Sequence, residues 1–84
     1  MSKYDPLYDV LIRHPGPRIK LPFLAIERLI RAPLPESARV HPRWWANEDP
    51  TITRHVHSRA WTQAGWQASP HLDTGEVVFT KGAH

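Results

Sequence analysis

Eighty-four residues with no cysteine and a formal net charge of +3 make a short, basic chain. That length gives one domain near the lower limit of what folds without staples, and the absent thiols exclude disulfides and thiolate metal sites. No run approaches the ~18 apolar residues that span a bilayer, and the opening Met-Ser-Lys-Tyr-Asp has no signal core, so no membrane partner and a cytoplasmic, bacterial-type setting are expected.

Tyr4 to His14 reads as a first helix, with Asp5 as cap and Pro6 at its first position. Leu7, Val10 and Leu11 fall at i, i+3 and i+4 and share a face, with Tyr8 and Ile12 in the next row. Pro15-Gly16-Pro17 stops it. Arg18 to Leu21 alternates polar and apolar, a short strand ended by Pro22. Phe23 to Arg31 returns to helical period, with Phe23, Ile26, Leu29 and Ile30 on one side and Glu27 paired with Arg31 outside. Pro35 to Arg39 suits one further helical turn, and Trp44 to Asn47 an extended or turn segment.

Asp49-Pro50 is a start signal for a third main helix, Pro50 to Ala64, with Gly65 as its left-handed end. At 100° per residue Val56, Ala60, Trp61 and Ala64 form its apolar arc, opposite Arg54, His55, Ser58, Arg59 and Thr62. Trp66 to Leu72 and Glu76 to Lys81 read as strands joined by the turn Asp73-Thr74-Gly75. The expectation is a single α+β domain over residues 4–81, with residues 1–3 and 82–84 frayed. Its order, helix-strand-helix-helix-hairpin, is winged-helix-like: three helices on a small three-stranded antiparallel sheet. A generic α+β unit has the same order.

Residues 37–66 concentrate the chemistry. All four tryptophans of the chain lie there, with Arg39, Arg43, Arg54 and Arg59 and with His41, His55 and His57. A buried indole removes on the order of 200 Å² from water, at ~25 cal/mol per Å². The aromatics therefore serve a small core well, and the cations are left to serve a surface. Ten of the eleven Lys and Arg residues precede residue 60, and a basic balance favours acidic partners, nucleic acid foremost.

Four constellations stand out. Arg54, Ser58 and Thr62, with His55 and Arg59 beside them, are the polar face of a helix that a helix-turn-helix variant lays in the major groove; a solvated face is the plainer reading. Ser37, Arg39, His41 and Arg43 suit a phosphate, or merely a capped surface turn. Of the adjacent indoles, Trp45 is assigned to the core and Trp44, partly exposed, to stacking or an interface. Asn47 is read as a turn residue. His55 and His57 lie at i, i+2 and do not chelate one metal on a helix, so no metal site is expected; His57 is placed at the core edge. No phosphate loop, H-E-x-x-H or nucleophile elbow is present, and neither an enzyme nor a cofactor is expected.

Tyr4-Asp5-Pro6-Leu7-Tyr8, Phe23-x-x-Ile26-Glu27, Leu34-Pro35-x-Ser37-Ala38-Arg39, Trp44-Trp45-Ala46-Asn47, Arg59-Ala60-Trp61-x-x-Ala64-Gly65-Trp66 and Val77-x-Phe79 form a combined pattern. Together they resemble a small bacterial domain family of unknown function, over residues 4 to 80. The resemblance implies a coherent fold and a shared surface, without an activity. Pro22 departs from it, standing where a capping Ser or Thr is expected, as does Val56, where a small polar residue is common.

The sequence thus points to a small non-enzymatic DNA- or nucleic-acid-binding domain. Arg39 and Arg43 are its expected phosphate contacts, and Arg54, His55, Ser58 and Arg59 its groove face. The alternative is a protein-interaction module, such as a phage or defence-system accessory or inhibitor, since Arg and Trp are also enriched at interface hot spots.

Overall fold

The computed structural model describes residues 2–82. Its elements are α1 (Asp5–Arg13), β1 (Arg18–Pro22), α2 (Phe23–Ile30), α3 (Glu36–Val40), a 3-10 turn (Pro42–Trp45), α4 (Val56–Thr62), β2 (Trp66–His71) and β3 (Glu76–Lys81). The protein is α+β, with four α-helices among the described residues and one antiparallel sheet. The added helix is the turn expected near Pro35, which closes into α3.

The strands lie in the order β1-β3-β2, so the last strand is central. Ile19 pairs with Phe79 and Leu21 with Val77 on one side, and Ala68 pairs with Phe79 on the other. Side chains alternate faces along a strand, so this register gathers Ile19, Leu21, Ala68, Val77 and Phe79 on the helix side. Pro22 and Pro70 fall on the two outer strands, where a missing ladder donor is tolerated.

An aromatic column joins the helices to the sheet. The Trp45 ring stacks on Phe23 at 5.8 Å and on Trp61 at 5.5 Å, and Trp61 meets Phe79 at 6.0 Å. All four side chains are buried. The Trp45 indole N–H donates to the Ala38 carbonyl at 2.8 Å, which pins the 3-10 turn to α3. Leu7 and Leu11 of α1 and Ile26 and Ile30 of α2 fill the sides, as their helical spacing requires.

Several local expectations are corrected. Asp49-Pro50 starts a turn and not a helix. The Asp49 carboxylate accepts from both the amide and the hydroxyl of Thr51, and the Asp49 carbonyl accepts from the amides of Ile52 and Thr53. The run Thr51-Ile52-Thr53 is β-branched, which disfavours continuing the helix, and α4 begins only at Val56. Arg54 and His55 therefore lie outside the helix. The face that α4 buries is Ser58, Ala60 and Trp61, while Val56 is 50% exposed. The tandem tryptophans sit in the 3-10 turn and are not extended, with rings 4.6 Å apart at 70°.

Arg31 does not pair with Glu27; it ends α2 in the left-handed region at φ 57°. Glu27 turns instead to the α2–α3 connection, accepting from the Leu34 amide at 2.7 Å and from Arg39 at 2.6 Å. The cap that Pro22 does not supply comes from the hairpin, where the Phe23 amide donates to the Gly75 carbonyl at 2.8 Å. Gly75 holds φ 71° in that turn, a conformation that glycine adopts without a steric penalty. Met1, Ala83 and His84, expected to fray, lie outside the described residues. Ser2 and Gly82 are tied in: the Tyr4 amide donates to the Ser2 hydroxyl, and the Gly82 amide to the Gly65 carbonyl.

Candidate functional site

The 3-10 turn and the start of α4 enclose an open groove of about 780 Å³. Ser37, His41, Arg43, Trp44, His55 and His57 line it together with Pro42. Proline at the head of the turn sets its φ, and the Ala46 amide closes it on the Arg43 carbonyl at 3.1 Å. Trp44 follows Arg43 directly, so the turn presents a guanidinium and a half-buried indole to one cleft.

Trp44 is held on several sides. Its ring stacks on the His57 imidazole with centroids 3.9 Å apart and planes within 6°. His57 Nε2 lies 2.8 Å from the Trp44 carbonyl, which only accepts, so Nε2 carries the proton. Burial pushes the His57 pKa down, with the Trp44 carbonyl opposing more weakly; a depressed pKa keeps the ring neutral at neutral pH. Tyr4 approaches both rings at 6.1 Å, one contact to each.

His55 stacks more loosely on His57, at 5.6 Å and 23°. Its Nδ1 lies 2.7 Å from a Glu48 carboxylate oxygen. That bond is the main reason the Glu48 pKa is lowered. The pairing leaves His55 Nε2 without a hydrogen bond among the described residues. Among the described residues neither Glu48 nor any other carboxylate lines the groove, although Glu48 reaches its edge through His55.

The six predicted contact residues divide. Arg43 and His55 meet in the groove, beside Trp44. Arg39 is committed to Glu27, with its guanidinium 5.6 Å from the Phe23 ring centroid. The Leu34 amide first, and Arg39 second, hold the Glu27 carboxyl below its usual value. Arg59 is half-buried and donates to the Thr53 carbonyl at 2.7 Å, bracing the loop before α4. Ser58 is buried and donates to the His55 carbonyl at 3.0 Å, so it does not face solvent. Arg54 is exposed, and like Arg43 has no ion pair or side-chain hydrogen bond among the described residues.

Sequence reasoning did not assign roles to Glu48 or to His57 as a groove wall. Both depend on the loop 46–55 folding back, and spacing along the chain does not report that. Asn47, read as a turn residue, is a bridge. Its Oδ1 accepts from the Ala68 amide at 2.7 Å and the Trp61 indole at 3.0 Å, and its Nδ2 donates to the Ala68 carbonyl at 3.2 Å.

A family model described as a domain of unknown function (DUF7662) matches residues 4–83. No curated protein and no solved structure matches the chain.

Proposed function

The chain belongs to that family, DUF7662, and we propose that it is a small non-enzymatic nucleic-acid-binding domain whose contact surface is the Trp44 groove. One observation carries the reading: Arg43, which has no ion pair among the described residues, converges with His41, Ser37 and the free Nε2 edge of the Glu48-paired His55 on a cleft walled by an indole, and no carboxylate among the described residues lines it. A cation without a protein partner beside an aromatic surface is what a phosphate followed by a base requires. The element order and the β1-β3-β2 sheet support the winged-helix-like part of the reading. The committed side chains of Ser58 and Arg59 move the proposed surface from the polar face of α4 to the groove, Arg39 in α3 is withdrawn by Glu27, and Arg54 is left as an outlying cation.

Anisotropy of a labelled oligonucleotide against salt concentration tests it. Affinity should fall as salt rises. Arg43→Ala should lower the slope of log K on log salt by about 0.7–0.9, the share of one phosphate contact. Absence of binding at low salt, or a slope unmoved by Arg43→Ala, refutes the reading.

A protein partner is favoured by a different observation. Ile52 and Val56, in the loop and at the start of α4, are 78% and 50% exposed. On this second reading Ile52→Ser with Val56→Ser abolishes partner capture from nuclease-treated lysate, while Arg43→Ala leaves it intact.

A further inference from the structure

A duplex reader of helix-and-wing type needs a helix face and a hairpin tip that tolerate phosphates. Here α4 has seven residues. It shares a cleft of about 1010 Å³ with α1, where Asp5 and Asp9 stand opposite Val56, Arg59 and Gln63. Arg59 is turned back to Thr53. The hairpin end carries Asp73 and Glu76, and of these Glu76 has a partner in Lys20 at 3.9 Å. Asp5, Asp9 and Asp73 have no ion-pair partner among the described residues, so a phosphate brought to either place meets an uncompensated carboxylate.

The Trp44 groove has the opposite character. Among the described residues no carboxylate lines it, Glu48 being taken up by its 2.7 Å pairing with His55, and its volume of about 780 Å³ falls within the ~300–1,000 Å³ of small-ligand sites. The His57 ring covers one face of Trp44 and its bond to the Trp44 carbonyl fixes the indole in place, so a base docking on the part of Trp44 that lines the groove loses little to rearrangement. A base stacked within a duplex keeps its face covered; only an unpaired base offers it to an aromatic side chain.

Resting on the nucleic-acid reading above, we propose that the groove takes an unpaired nucleotide of a single strand, its base on Trp44 and its phosphate on Arg43 with His41. The chain is then a single-strand binder, and the short α4 is a structural brace.

Labelled 12-mers of single-stranded DNA, single-stranded RNA and the matching DNA duplex, followed by anisotropy against the whole chain, test this. At least one single strand should bind tenfold or more tightly than the duplex; the two arms identify the sugar. Trp44→Leu should weaken single-strand binding roughly five- to a hundredfold, the usual effect of losing one stack. Because Trp44 also packs against Trp45, Trp44→Phe provides a second variant: it keeps a ring and should retain most of the affinity, with circular dichroism melting to confirm folding. Equal or tighter duplex binding, or a folded Trp44→Leu variant that binds as before, overturns the single-strand proposal and leaves the broader reading standing. Binding to none of the three overturns both.

Discussion

Asn47→Ala is the substitution whose cost follows most directly from the structure. β2 is an outer strand, and the Asn47 amide engages both the amide and the carbonyl of Ala68, as a neighbouring strand's peptide would. The same side chain accepts from the Trp61 indole N–H, and Trp61 is 0% exposed. Each bond to Ala68 contributes ~0.5–1.5 kcal/mol, and a buried N–H left unpaired costs ~1–3 kcal/mol. Asn47 itself is exposed, so water reaches Ala68 once the amide is gone, and the lower half of the range applies. The expected loss is about 2–4 kcal/mol, or roughly 10–25 °C in Tm for a domain of this size. Urea unfolding followed in parallel by far-ultraviolet circular dichroism and tryptophan emission measures it. Asn47→Asp keeps the acceptor for Trp61 but sets a carboxylate oxygen against the Ala68 carbonyl, so it should also destabilise. A loss below about 0.5 kcal/mol for Asn47→Ala would show that the bridge contributes no more than one ordinary surface bond and that the Trp61 N–H is not left unpaired without it.

Two more outcomes are expected. Arg31 holds φ 57° at the end of α2, and relief of the left-handed strain outweighs the unfolded-state entropy of glycine, so Arg31→Gly should stabilise by about 0.5–1 kcal/mol; a lower urea midpoint would contradict this. On acidification stability should fall in two stages. The native His57 pKa lies below its ordinary value of 6.5, so the unfolded chain takes up that proton first and stability declines as pH drops below about 6.5. Glu27, Glu48 and Asp49 also have lowered pKa values; their contribution is present above the ordinary carboxylate range and is lost on further acidification. His57→Gln can still donate to Trp44 and should flatten the first stage alone. A wild-type urea midpoint that stays constant between pH 7.5 and 5.5 would rule out the His57 assignment.

Short-range pattern sufficed for what the chain does locally. The i, i+3, i+4 rows of Leu7 and Leu11 and of Phe23, Ile26 and Ile30 name the buried sides of α1 and α2, because a helix turns by a constant angle. The hairpin was legible for the same reason, with alternation on both arms and a turn glycine between them. The half-exposed Trp44 beside a buried Trp45 was also legible, although the turn that separates them is 3-10.

The residues 46–59 were not legible, and the candidate site depends on them. Asp49-Pro50 is an adequate helix start in isolation, but an Asx turn and three β-branched residues compete with it locally. That shift withdraws Arg54 from the helix and turns Ser58 inward. What the sequence determined by itself is where chain direction and apolar faces repeat, since each element carries that information within a few residues. Only the tertiary structure decided which cations remain available, because Glu27 choosing Arg39, Thr53 holding Arg59 and Glu48 meeting His55 are contacts between segments that the fold alone brings together.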